Sequence, residues 1–264
     1  MPVTLNIKPR PGDPSVQKKR RFAANRVVRH FGNRLPDLRL ACLLDDTDCE
    51  DLKKEVGETN RGLFLRVNRQ TESALENIDW SRFPISTFII PGSPPDWKTD
   101  YAFDAVIYLH GSTCSDETAL AMTLSHELQH FIQYGFNRKL WAVNYLLARL
   151  PKDVIDITGL NWPDIPTERE ARIVAKRIGI KVCGSEAIEQ YIARKITEFT
   201  SLKDLEDWRF SQDVDPSVFY DLASETESIF ERLKSYRQYL EQVLDEMRKD
   251  EDFKKLDLSE YFEN

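Results

Sequence analysis

Apolar residues along this chain recur with two different periods, and each period predicts its own elements. Short, densely apolar runs at 38–44, 62–67, 86–90 and 105–109 predict strands. The last of these, Ala105-Val106-Ile107-Tyr108-Leu109, is apolar throughout, as a strand buried on both faces is. Helical spacing predicts helices over 16–31, from about 116 to Gly135, over 138–150, from Thr167 onward, and over 185–200. Two short helical pieces are expected near 51–56 and 71–79. Ser15 is the expected cap of the first helix, and Gly32-Asn33 its end. Thr113 and Ser115 are the expected caps of the helix from 116. Pro2, Pro9, Pro11, Gly12 and Pro14 predict an extended or loose start. Residues 153–165 read as irregular and 201–215 as a polar loop. A long helix is expected over 216–247. Its Ile229, Leu233, Tyr236, Leu240, Val243 and Met247 form a coiled-coil-like seam of under three heptads. The seam most simply packs on the protein's own body; dimerisation through this helix is the alternative.

A length of 264 residues bounds the chain to one large domain or two small ones, and 41% hydrophobic content can fill a core. No apolar run reaches membrane-spanning length, so no membrane partner is expected. The start of the chain lacks an apolar signal region. Cys42, Cys49, Cys114 and Cys183 have no C-x-x-C pairing and read as reduced thiols, which places the protein in the cytoplasm. Residues 1–40 hold ten Lys or Arg against Asp13 and Asp37, while the whole chain carries -7. Such a basic segment can touch nucleic acid. No nucleic-acid-binding motif accompanies it, so pairing with the protein's own acidic surface is favoured.

Chemistry concentrates in Leu124-Ser125-His126-Glu127-Leu128-Gln129-His130-Phe131. On a helix, His126 and His130 share a face and can turn two imidazole nitrogens toward one ion. Glu127 points elsewhere on the helix, near the metal without ligating it, and suits a general base acting on a metal-activated water. Ala121, Met122, Leu124, Leu128, Phe131 and Ile132 surround the motif, so the helix reads as largely buried rather than as one with two surface histidines.

A catalytic zinc normally has a third protein ligand. The candidates lie in Pro166-Thr167-Glu168-Arg169-Glu170-Ala171-Arg172. Thr167 as N-cap and Glu170 three residues on would form a capping box, which occupies Glu170. Glu168 shares a face with Ala171 and Ala175, two small residues that permit close helix packing. Glu168 is therefore preferred over Glu170 as the ligand. Tyr134, Arg172 and Tyr191 are candidates to stabilise an oxyanion. His110 reads as structural or cleft-lining, and His30 as a surface residue.

His126-Glu127-Leu128-Gln129-His130 followed by Glu168-x-x-Ala171 resembles the gluzincin zinc metallopeptidases. The Glu-Arg-Glu-Ala run is also similar to the minimal zincins of the ImmA/IrrE type. The resemblance spans roughly residues 100–180, and Arg172 stands where those relatives usually have Asn or Asp. It implies a small mixed sheet beside the active-site helix, with substrate extended along an edge strand.

The expected fold is therefore α+β: a zincin-like core with a small mixed β-sheet, a His-Glu-x-x-His helix and a helical C-terminal part. The expected division is a basic segment over 1–40, a core over 41–180 and a helical region over 181–264. The expected function is zinc-dependent endopeptidase hydrolysis of a protein or peptide, with Zn2+ on His126, His130 and Glu168, and Glu127 as base. The alternative is a regulatory, partner-binding protein in which zinc supports the core. An intact Glu127 favours the enzyme.

Overall fold

A computed structural model describes residues 4–7, 14–36, 40–44, 62–66, 85–89, 105–109, 111–114, 116–151, 154–155, 158–198, 202–250 and 253–262. It is an α+β chain of two compact units, Met1–Ile132 with Val174–Tyr191, and Gln133–Ile173 with Ile192–Asn264. These units do not follow the division at residues 40 and 180 expected from the sequence. The short helices expected at 51–56 and 71–79 lie outside the described residues, as does His110.

The first unit is built on a sheet of β1 (Thr4–Ile7), β2 (Leu40–Leu44), β3 (Gly62–Arg66), β4 (Ile85–Ile89) and β5 (Ala105–Leu109). Their order is β1-β4-β2-β5-β3. β5 runs parallel to β2, from Leu40 opposite Ala105, and antiparallel to the edge strand β3, with Gly62 opposite Leu109. The sheet is thus mixed. Four strands fall where apolar runs predict them. β1 takes the extended form expected of the proline-rich start, and it goes further by pairing with β4. Ala105, Ile107 and Leu109 are buried, and so is Tyr108, which points to the opposite face, so β5 is covered on both sides.

Helix α1 (Pro14–Phe31) begins one residue before the expected cap Ser15. It ends where Gly32 takes a φ of 50°, a conformation that side chains beyond Cα disfavour. Ala23, Ala24, Val27, Val28 and Phe31 are buried in the unit's core, while Phe22 is exposed. The basic segment is therefore not a separate arm here: α1 is part of the core, and Arg26 donates to the Lys181 carbonyl. After α2 (Gly111–Cys114) comes α3 (Glu117–Phe136). Asp116, not Thr113 or Ser115, caps α3, its Oδ1 accepting from the amides of Thr118 and Ala119. Leu120, Leu124, Leu128 and Phe131 of α3 join the same core as Ile107 and Leu109. The helix ends at Phe136, next to the Gly135 near which it was expected to stop, and Asn137 caps the following helix through Leu140.

The second unit contains α4 (Arg138–Leu147), the start of α5 (Pro166–Cys183), the end of α6 (Ser185–Glu198), α7 (Leu202–Asp213), α8 (Leu222–Arg232) and α9 (Arg237–Met247). Two expectations are corrected. The polar stretch after 201 is helical, because it holds no Gly or Pro and is rich in helix-compatible Leu, Lys, Glu and Arg. The long helix over 216–247 is two helices, interrupted by a tight turn at Lys234–Tyr236. Ile229, Leu233, Leu240 and Val243 of the proposed seam are buried within the chain. Asn144 of α4, fully buried, donates to the Thr226 hydroxyl of α8 at 2.8 Å. The tail docks: Phe253 lies beside Trp141 and Tyr145, and Tyr261 and Phe262 pack on Phe230. Among the described residues, no helix is long and apolar enough to cross a membrane.

Candidate metal centre

His126 and His130 lie one turn apart on α3, as the sequence predicts. Their Nε2 atoms are 3.0 Å apart and their ring planes almost perpendicular, at 88°. Two neutral imidazoles in this arrangement either share one proton or turn both lone pairs toward a common cation. His126, His130 and Glu168 place their ligand atoms within 4.8 Å of one another. Two imidazole nitrogens and one carboxylate oxygen form a donor set that suits zinc. Among the described residues, no other such group of His, Cys, Asp or Glu occurs.

The two glutamates of α5 take different places. Glu170 accepts from Gln133 Nε2 at 2.8 Å, and the same amide donates to the Thr167 carbonyl at 3.0 Å. Gln133 thereby ties the end of α3 to the first turn of α5. The expected capping box at Thr167 and Glu170 does not form, because α5 starts at Pro166 and Thr167 is already inside it. Proline suits that first position, since its missing N–H would have had no helical partner. Glu170 is occupied as expected, but by a different partner. Ala171 and Ala175 are buried, in keeping with the close packing their size permits.

Glu127 follows His126 and is 6% exposed. Beneath it runs the edge strand β3. A Cβ placed on Gly62 would lie 3.0 Å from Glu127 Oε1 and 2.7 Å from the Thr123 methyl. Gly62 thus makes room for the Glu127 carboxylate, a role no local pattern in the sequence announces. Phe64, two residues along the same strand, sits with its ring 6.5 Å from that of His130. Gly62→Ala is expected to destabilise the protein by about 1–3 kcal/mol through overpacking and to displace Glu127. Thermal unfolding checks the first effect, and an unchanged melting temperature would contradict it.

The oxyanion candidates differ in their surroundings. Arg172 bonds to Glu168 Oε2 at 3.0 Å and to Asp207 Oδ2 at 2.8 Å, so its guanidinium is engaged with carboxylates. Tyr134 is buried, edge-on to Trp141, with Arg138 over its ring. Tyr191 is also buried, and His30 is exposed as expected. Cys114 and Cys183 are free thiols. Burial, and then the Glu117 carboxylate, push the Cys183 thiol up, which keeps it protonated and a poor ligand. Asp207 and Gln133 are the site neighbours that sequence reading missed. Gln133 lies one turn beyond His130 on the same helix face and could have been found there; Asp207 had no local signal.

Compared with protein-family models, curated proteins and solved structures, this chain has no match.

Proposed function

We propose that the protein is a zinc-dependent peptidase of the zincin kind, built on a gluzincin-like ligand set. The observation that carries this reading is the convergence of His126, His130 and Glu168 within 4.8 Å, with Glu127 next to the first ligand. A zinc ion held there would supply Lewis-acid activation of a water and of a peptide carbonyl. Glu127 takes the proton in this scheme and returns it to the leaving amine. Gly62 keeps β3 from crowding the carboxylate, and β3, at the margin of the sheet, is the strand along which an extended peptide would lie. In this reading the zincin core comprises the sheet with α3 and α5, and the protein works in the cytoplasm on protein or peptide substrates.

Metal removal tests the proposal. Dialysis against a chelator is expected to end hydrolysis of a denatured protein substrate or a peptide library, and zinc added back is expected to restore it. Hydrolysis that persists in the metal-free protein would overturn the reading. A protein that binds zinc stoichiometrically but cleaves nothing would favour the partner-binding alternative.

A further inference from the structure

Beyond the three ligands, α5 and α7 carry a chain of charged groups that the motif does not contain. Arg172 sits one turn after Glu168 on α5. Its Nη1 donates both to Glu168 Oε2, at 3.0 Å, and to the Glu168 backbone carbonyl, at 3.1 Å. Its Nη2 donates to Asp207 Oδ2 on α7, at 2.8 Å. The three side chains are largely withdrawn from solvent, at 12%, 11% and 24% exposure for Glu168, Arg172 and Asp207. Pairs withdrawn to this degree are screened less than surface ones.

Two physical consequences follow. The planar fork of the guanidinium is pinned on one side by Glu168 and on the other by Asp207, so it fixes the orientation of the Glu168 carboxylate. A lone guanidinium beside a ligand carboxylate would oppose a bound cation by Coulomb repulsion. The Asp207 carboxylate offsets that charge, and the trio keeps the net -1 of a single ligand.

We infer that Arg172 and Asp207 are positioning residues for the metal. Asp207, acting through Arg172, sets the Glu168 carboxylate for ligation, so that ion binding depends on α7 being docked. This rests on the metal-centre reading above. Groups that orient a ligand typically matter tenfold to a hundredfold in metal affinity.

The test is zinc affinity by chelator competition on the full chain, in wild type, Asp207→Ala, Arg172→Lys, Arg172→Ala and the Asp207→Ala/Arg172→Ala double variant. The single variants are expected to bind zinc about tenfold more weakly. Lysine is expected to fail because one ammonium cannot reproduce the fork. The double variant is expected to be no weaker than Arg172→Ala, because Asp207 acts only through Arg172. Cobalt(II) absorption provides a second readout: the visible band of the wild type should change in both alanine variants. That band reports coordination, which a merely structural loss would leave alone. Wild-type affinity and an unchanged cobalt band in Asp207→Ala would overturn the inference while leaving the metal centre intact, and so would additive losses in the double variant. A wild-type chain that binds no zinc at all would instead remove the metal centre and this inference with it.

Discussion

Glu127→Gln is expected to abolish peptide hydrolysis while zinc content and melting temperature stay at wild-type values. The substitution keeps the shape of the side chain and removes its capacity to accept and return a proton. General acid–base catalysis contributes about 10²–10⁴ in rate, so the loss should be of that order. Glu127 is not a member of the group that could hold the ion, which is His126, His130 and Glu168. Metal and activity should therefore separate in this one variant. Turnover assayed beside zinc content checks it. Activity within tenfold of wild type would show that Glu127 is not the base.

The second large effect separates two neighbouring acids. Glu168→Ala should strip zinc from the protein, because two imidazoles alone leave the catalytic coordination one protein ligand short. Glu170→Ala should keep its zinc. What it loses is the acceptor for Gln133. A hydrogen bond to a charged group is worth about 1.5 kcal/mol or more, and the loss should appear as a lower unfolding midpoint. Elemental analysis of the two purified variants, with denaturant unfolding of each, checks both expectations. Zinc retained in Glu168→Ala, or lost in Glu170→Ala, would exchange the roles assigned here.

The parts of the fold that the sequence made legible share a physical cause. β5 is legible because burial on both faces demands apolar residues along the whole strand, and α3 because Leu120, Leu124, Leu128 and Phe131 recur at helical spacing and are buried. The His126 motif is legible because helical spacing alone brings His126 and His130 onto one face. Elements defined by distant partners are not. β1 is held by a strand some eighty residues away, from Thr4 opposite Ile89. The break between α8 and α9 falls at Leu233-Lys234-Ser235-Tyr236, which contains neither Gly nor Pro. Nothing local marks it, and burial of Leu233 and Leu240 in the body of the chain accompanies it. Asp207 is 35 residues from Arg172, which places it beyond any local pattern. Gly62 is a subtler case: a glycine opening a strand reads as a turn residue, and only the closeness of Glu127 reveals what its missing side chain accommodates.

Each compact unit is assembled from two separated stretches, Met1–Ile132 with Val174–Tyr191 and Gln133–Ile173 with Ile192–Asn264. As the chain leaves the ribosome, the first unit must wait for its closing stretch while the opening stretch of the second is already out. The two assemblies therefore overlap in time. A nascent chain halted anywhere between Ile173 and Ile192 would carry Glu168 without the helix that holds Asp207. Synthesis itself would then delay the appearance of a finished site until the later helices have emerged.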